Sequence, residues 1–183
     1  MSDDKRALTP EQLEDEGKTA YGEGDYRQAA DLFLAAEEGY RLKGDEVKAA
    51  EMANNRSVAL IQAGEDRGAL DAVKDTVAIF EQAGDTLRQA MALGNRASAY
   101  EALGQLALAI GDYKQAEEIF RQLGETDLRL DVSKSLSALQ MRKGKTLEAL
   151  GTMQAGVAEI ERPTLKQRIL KKLLGLPARL LRG

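Results

Sequence analysis

Residues 24–45 read GDYRQAADLFLAAEEGYRLKGD, a stretch that begins and ends with a Gly-Asp pair. Glycine readily takes the left-handed conformation that ends a helix, and aspartate is favoured at a helix N-cap or in the first turn. The aromatic and small residues between the two pairs recur every three or four positions, as on one face of an α-helix: Tyr26, Ala29, Phe33, Ala36 and Tyr40. The stretch therefore predicts one helix with a turn at each end.

Glycines recur every 20 residues, and we call them the glycine ladder: Gly24, Gly44, Gly64, Gly84, Gly104, Gly124 and Gly144. The stretches between them are rich in Ala and Leu and contain few helix breakers. Each interval is predicted to hold one helix and one turn, so two intervals form a helical hairpin of 40 residues. Hairpins repeated in this way are typical of an α-solenoid.

The segment GDYKQAEEIF at residues 111–120 nearly copies GDYRQAADLF at residues 24–33, but its position does not fit the 20-residue period. In the register of the glycine ladder, Gly111 lies inside a helix, at a cost of about 1 kcal/mol relative to Ala. We predict this arrangement. A turn at Gly111 is the alternative, because Gly111-Asp112 can break a helix.

The composition limits the chemistry that the chain can perform. Its 183 residues include no Cys and no His, which excludes a thiol nucleophile, a Ser-His pair and the usual zinc ligands. We therefore predict a protein that is not an enzyme and has no cofactor. The acidic start and the lack of a long apolar run favour a cytoplasmic location.

Residues 13–36, LEDEGKTAYGEGDYRQAADLFLAA, have a small-large spacing that resembles the tetratricopeptide repeat (TPR) family, and NRASAYEALGQLALAIGDY at 95–113 repeats much of it. The 40-residue period looks like the long repeats of kinesin light chains and Pins-type adaptors. The likeness covers residues 8–161 as four repeats, at about 8–44, 45–84, 85–124 and 125–161. The fourth is the weakest, since Gln140 and Thr146 stand where the family prefers bulky apolar residues.

The predicted fold is therefore all-α. It is an α-solenoid of about four stacked antiparallel helical hairpins, a TPR-like superhelix, followed by a C-terminal helix. Residues 1–7 are predicted to be a flexible N-terminus, and residues 162–183 a basic amphipathic helix or tail.

The resemblance implies that the first helix of each repeat lines a concave groove, and that the chain is a scaffold or adaptor binding a peptide or protein segment there. A mildly acidic, partly apolar groove suits a peptide with Lys or Arg and a few apolar anchors. Tyr21 belongs to the implied lining, and so do the ten residues that we call the groove residues: Glu14, Lys18, Glu51, Asn54, Asn55, Val58, Met91, Asn95, Ser98 and Lys134.

Asn55 and Asn95 stand one 40-residue period apart. An amide offers both a donor and an acceptor, so a column of asparagines can pair with the backbone of an extended peptide. Related long-repeat proteins use asparagines at this position in that way. The alternative is that each Asn bonds its own scaffold. Arg56 and Arg96 are also one period apart. A structural role is favoured for them, in which they either snorkel between helices or pair with carboxylates of the adjacent repeat.

The tail differs from the body in charge. Residues 1–161 carry 19 basic and 30 acidic side chains, a net charge of −11, whereas residues 162–183 carry seven basic side chains and no acid. A helix here is predicted to place Leu165, Ile169, Leu173 and Leu176 on one face and Arg168, Lys171 and Lys172 opposite, with Lys166 as a further basic residue. It could cap the solenoid, dock on an anionic membrane, or bind a protein partner or the chain's own acidic groove. Nucleic acid is not expected, because the body is acidic.

Overall fold

The computed structural model describes residues 8–158 and 164–174, and every regular element there is an α-helix. The predicted all-α class is confirmed for these ranges, whereas the predicted flexible N-terminus, residues 1–7, lies outside them. The helices are α1 (Pro10–Glu23), α2 (Tyr26–Leu42), α3 (Glu46–Gln62), α4 (Asp66–Val73), α5 (Thr76–Gln82), α6 (Thr86–Ala102), α7 (Leu106–Leu123), α8 (Thr126–Arg142), α9 (Thr146–Ala158) and α10 (Leu165–Leu174).

The chain divides into two compact units, Met1–Gln105 and Leu106–Gly183. Helices α1 to α6 belong to unit 1 and α7 to α10 to unit 2. The division falls between the two helices of the third predicted repeat.

The glycine ladder marks helix ends, as predicted. All seven of its glycines have a positive φ, between 70° and 88°. At the end of α1, the amide of Gly24 donates to the carbonyl of Tyr21 (3.1 Å) and the amide of Asp25 to that of Ala20 (2.9 Å). A residue with a Cβ atom pays about 1–2 kcal/mol for this conformation, which explains glycine at the turn.

Two of the aspartates that follow ladder glycines cap the next helix. Asp45 and Asp85 each accept a hydrogen bond of 2.9 Å, from the backbone amides of Lys48 and Arg88. These contacts satisfy amide groups that the first turn of a helix leaves without a partner. The predicted capping role is thus confirmed at the starts of α3 and α6.

Gly111 lies within α7, which is continuous from Leu106 to Leu123. The register of the glycine ladder is confirmed at this position, and the alternative turn at Gly111 is not formed. An added Cβ at Gly111 would meet no atom within 4 Å, so no close contact requires a glycine there.

One interval departs from the prediction of one helix and one turn. Between Gly64 and Gly84 the chain forms two shorter helices, α4 and α5, which are separated at Lys74 and Asp75. The prediction of a single helix was wrong here. Helix α3 packs against both pieces, so the hairpin is kept although its second helix is interrupted.

A buried threonine, Thr76, lies at the break. This residue is buried at the position that Ala36 and Ala116 hold in the first and third repeats. Its hydroxyl donates to the carbonyl of Val73 (2.9 Å), because no water is available to a buried hydroxyl. Such a bond competes with the helical hydrogen bonds and bends the helix.

In unit 1 the helices pack closely because their facing residues are small. A core cluster joins α1, α2 and α3 and contains many alanines around Phe33, Tyr40 and Met52. Gly17 of α1 lies so near α2 that a Cβ there would be 2.8 Å from the ring of Phe33. The absence of a side chain at Gly17 therefore sets the position of that ring.

Unit 2 has a more polar interior. Gln140 of α8 is buried, and its amide oxygen accepts from the hydroxyl of Thr152 (2.9 Å), while Ser137 donates to the carbonyl of Ala149 (2.9 Å). Buried polar groups need such partners. The weak TPR pattern at Gln140 thus corresponds to a hydrogen-bonded contact between α8 and α9.

Helix α10 packs against α9. Leu174 contacts the cluster formed by Leu130 and Val157, and the ammonium of Lys171 donates to the carbonyl of Ala158 (2.8 Å) at the end of α9. Leu165 and Ile169 are exposed. Of the predicted apolar face, the side chain of Leu173 and all of Leu176 lie outside the described part of the chain.

Candidate peptide-binding site

Nine of the ten groove residues lie on three helices of unit 1. Glu14 and Lys18 are on α1; α3 carries the next four, from Glu51 to Val58; and Met91, Asn95 and Ser98 are on α6. Lys134 lies on α8 in unit 2, where its ammonium contacts Asp131 (2.7 Å). The candidate site is therefore built from the residues of unit 1.

A cleft of about 270 Å³ opens between α1 and α3, and we call it the α1–α3 cleft. Its lining consists of two residues of α1, one of α2 and two of α3: Lys18, Tyr21, Phe33, Asn55 and Val58. Four of these were predicted to line the groove. The fifth, Phe33, was predicted as a core residue and is only 3% exposed, so it forms the floor of the cleft.

The α1–α3 cleft combines apolar walls with a polar rim. Tyr21, Phe33 and Val58 provide the apolar surface. Among the lining residues Lys18 alone carries a charge, and its side chain is 54% exposed. The half-buried Asn55 forms no side-chain hydrogen bond with any described residue. Its amide can therefore pair with a ligand, as both donor and acceptor.

Glu14 belongs to the scaffold and not to an open acidic groove. It is 7% exposed, and its carboxylate accepts hydrogen bonds from the ammonium of Lys18 (2.5 Å) and the hydroxyl of Tyr40 (2.8 Å). Burial raises the pKa of Glu14, but the hydrogen bonds from Lys18 and Tyr40 and the positive charges of Lys18 and Lys48 together outweigh it, so the pKa lies below its ordinary value. Burial and the Glu14 carboxylate together raise the pKa of Tyr40.

Glu14 is one member of an ion-pair chain that crosses α1, α3 and α6. Lys48 lies 3.8 Å from Glu14 and 3.3 Å from Glu51, and Arg88 lies 3.2 Å from Glu51 and 2.6 Å from Asp85. With Lys18 the chain has three cations and three anions, so its formal charges cancel. Lys48 and Arg88 are not among the predicted groove residues, although their 40-residue spacing gave a signal.

Asn54 is nearly buried and does not line the α1–α3 cleft. It stands one 40-residue period after Glu14, and Phe80 stands one period after Tyr40. In the first repeat the hydroxyl of Tyr40 donates to Glu14. Phe80, at the corresponding position one period later, has no hydroxyl to donate to Asn54. The Asn54 amide oxygen has no hydrogen-bond partner among the described residues, in keeping with that substitution.

The three groove residues of α6 lie outside the α1–α3 cleft. Met91 is 40% exposed, and Asn95 is half-buried and forms no side-chain hydrogen bond with the described residues. The hydroxyl of Ser98 donates to the carbonyl of Gly94 on its own helix (3.0 Å). The structure therefore places Asn55, but not Asn95, in the cleft.

Arg56 and Arg96 both contact the preceding hairpin, but in different ways. The guanidinium of Arg56 pairs with Glu37 of α2 at 2.8 Å, and both side chains are mostly buried. This is the predicted pairing with a carboxylate of the adjacent repeat. One period later Val77 replaces the carboxylate, and Arg96 donates to the carbonyl of Lys74 (3.5 Å), where α4 gives way to α5.

The basic side chains predicted in the tail, Lys166, Arg168, Lys171 and Lys172, are all exposed on α10. The structure places them in unit 2, and only Lys171 makes a contact described above. None of the helices in residues 8–158 and 164–174 is both long and apolar enough to cross a membrane. No group of three acidic residues in these ranges is arranged to hold a metal ion.

Comparison of the amino-acid sequence with models of known protein families gives no match, and comparison with curated proteins gives none. The resemblance to tetratricopeptide repeats therefore rests on the residues quoted above.

Proposed function

We propose that this chain is a cytoplasmic, non-catalytic scaffold that binds an extended peptide or protein segment through the α1–α3 cleft. The observation that supports it best is the meeting of Lys18 and Tyr21 of α1 with Asn55 and Val58 of α3 above the ring of Phe33. Apolar walls with a few polar groups at the rim are typical of a ligand site.

In the proposed complex an apolar side chain of the ligand enters the α1–α3 cleft. Full burial of such a side chain contributes about 1.5–3 kcal/mol. The Asn55 amide pairs with the ligand backbone next to that anchor, and each hydrogen bond contributes about 1 kcal/mol. Because the anchor and the backbone are recognised together, the ligand is held in one register.

The apolar part of the predicted ligand has the stronger support. Glu14 and Glu51, which made the predicted groove acidic, are paired with cations of the ion-pair chain. Lys18 is the one charged residue in the lining of the cleft, and its ammonium is paired with Glu14. The proposed ligand is thus defined by its apolar anchor and its free backbone, and basic residues would be recognised elsewhere on the surface.

We also propose the finer architecture that the resemblance implies, a TPR-like α-solenoid. The recurrence of positive-φ glycines at the helix ends supports it, as does the packing of helices in chain order within each unit. Asn55 and Asn95, one period apart on α3 and α6, would then serve successive stretches of one ligand.

Peptides selected from a random library on the wild-type chain test the binding proposal. Val58→Trp fills the α1–α3 cleft and should abolish binding in fluorescence anisotropy titrations. Asn55→Ala should weaken it about fivefold for each hydrogen bond lost, at about 1 kcal/mol per bond. Leu34→Trp is the matched control, because Leu34 is exposed on α2 outside the lining. Unchanged affinity in both cleft variants would refute the proposal.

A further inference from the structure

The described apolar residues of α10 lie on two opposite sides of the helix. Leu174 faces inward and contacts Leu130 and Val157. Leu165 and Ile169 are 72% and 53% exposed. Leu165 and Leu174 are nine positions apart, which is two and a half turns and therefore opposite sides. Packing on α9 thus leaves a second apolar stripe in solvent.

Basic side chains flank this stripe on both sides. At 100° per residue, Arg168 and Lys172 fall on one side of Leu165 and Ile169, and Lys166 falls on the other. All three are exposed, and none pairs with a carboxylate of the described residues. No acidic residue occurs from position 162 onward.

We propose that the outward stripe of α10 docks on an anionic lipid surface. An exposed apolar stripe between basic flanks is the pattern of a helix that lies in the interface plane, with its apolar side chains among the acyl chains and its cations at the headgroups. The remainder of the chain has a net charge of −11 and is repelled by the same surface, so α10 is the part that meets the lipid.

Charge complementarity favours an anionic lipid surface over a neutral one. Each Lys or Arg near an anionic membrane strengthens binding about fivefold, and two apolar residues alone give only weak insertion. Beyond the described residues, the sequence of positions 175–183 adds Leu176, Leu180, Leu181, Arg179 and Arg182, a composition suited to the same surface. This lipid docking is independent of the α1–α3 cleft and adds a second binding function.

Sedimentation of the full chain with vesicles of phosphatidylcholine, with or without phosphatidylserine, tests the proposal. Wild type should bind only the vesicles that contain phosphatidylserine, and added salt should release it. Leu165→Gln/Ile169→Gln should lose binding. Lys166→Gln/Lys172→Gln should weaken it about 25-fold, because each lost charge costs about fivefold.

Two control variants match these substitutions. Leu147→Gln removes a leucine of α9 that is 74% exposed, and Lys114→Gln removes an exposed lysine of α7. Both should bind vesicles like wild type, and so should Asn55→Ala, because it affects only the cleft. Circular dichroism checks that each variant is folded.

Three outcomes would overturn lipid docking by this stripe. These are no sedimentation of wild type with anionic vesicles, equal binding to neutral vesicles, and unchanged binding of the Leu165→Gln/Ile169→Gln variant. If wild type does not sediment with anionic vesicles, a protein partner remains as the ligand of the outward stripe of α10.

Discussion

The hydroxyl of Tyr40 donates to the carboxylate of Glu14 at 2.8 Å, across the buried interface of α2 and α1. This bond joins the two helices of the first hairpin at the end away from the Gly24 turn. It also fixes the carboxylate that Lys18 and Lys48 contact, so the order of the cleft rim depends on a residue of the core.

Tyr40→Phe should therefore destabilise unit 1. The change removes one donor from a buried carboxylate, which costs about 1.5–3 kcal/mol. Urea denaturation followed by circular dichroism measures the loss. Tyr26→Phe is the control, since the hydroxyl of Tyr26 makes no hydrogen bond with the described residues. Equal stability of both variants would show that the Tyr40 bond contributes nothing.

The contribution of Glu14 should depend on pH. Its folded-state pKa lies below the ordinary value of 4.5, so its stabilising effect is complete above that value and is lost as the pH falls through the folded pKa. The free energy of unfolding of Glu14→Gln should thus be well below that of wild type at about pH 7, and the difference should shrink as the pH falls below 4.5. A difference that stays constant with pH would contradict the assignment.

Substitution by alanine should change the stability in opposite directions at two glycines, Gly64 and Gly111. Gly64 has a φ of 76°, so Gly64→Ala should cost about 1–2 kcal/mol. Gly111 is helical with open space around it, so Gly111→Ala should stabilise the chain by about 0.5–1 kcal/mol. Thermal and urea unfolding measure both. Destabilisation by Gly111→Ala would mean that the glycine has a role besides its place in α7.

Gly17→Ala should lower both the stability of unit 1 and the affinity of the α1–α3 cleft for peptides. Its new Cβ would lie 2.8 Å from the Phe33 ring, so the ring must move, and the ring is the floor of the cleft. We expect a loss of about 1–3 kcal/mol in stability from overpacking. Binding of selected peptides should weaken as well. Gly22→Ala is the control on the same helix, because its Cβ meets no atom within 4 Å.

Thr76→Ala should restore a continuous helix between Gly64 and Gly84. The variant removes the hydroxyl that bonds the carbonyl of Val73 and introduces the residue that stands at positions 36 and 116. Helicity by circular dichroism should rise slightly, with stability unchanged or increased. Amide exchange near Asp75 should slow, because its backbone would become helical. Faster exchange there would contradict a role for the Thr76 hydroxyl in the break.

The sequence predicted the turns well because a left-handed turn has a local cause, and Gly24 and its six counterparts show it directly in the spacing. It failed between Gly64 and Gly84, where the buried hydroxyl of Thr76 donates to the carbonyl of Val73 at the break between α4 and α5. The periodicity of apolar residues shows which residues share a helix face. It cannot show that a side-chain hydroxyl will donate a hydrogen bond to a backbone carbonyl three residues earlier.

The cleft was predicted only in part for a related reason. Lys18, Asn55 and Val58 lie together in the α1–α3 cleft, because residues on the first helices share a register. The count of acidic residues was a poor guide to the groove, because pairing decides which charges remain available. Glu14 and Glu51 are paired with Lys48 and Arg88, and neither cation is among the predicted groove residues.

The ion-pair chain has a consequence for how such an array can change in evolution. Lys48 and Arg88 each contact acids on two different helices, so each hairpin carries a charge that its predecessor needs. A duplicated or permuted hairpin would need an acidic residue to pair with the cation of the following hairpin. It would also need a cation to pair with the acidic residue of the preceding hairpin. Ion pairs between successive hairpins thus constrain the order of the first three repeats, and rearranging the repeats would require paired substitutions.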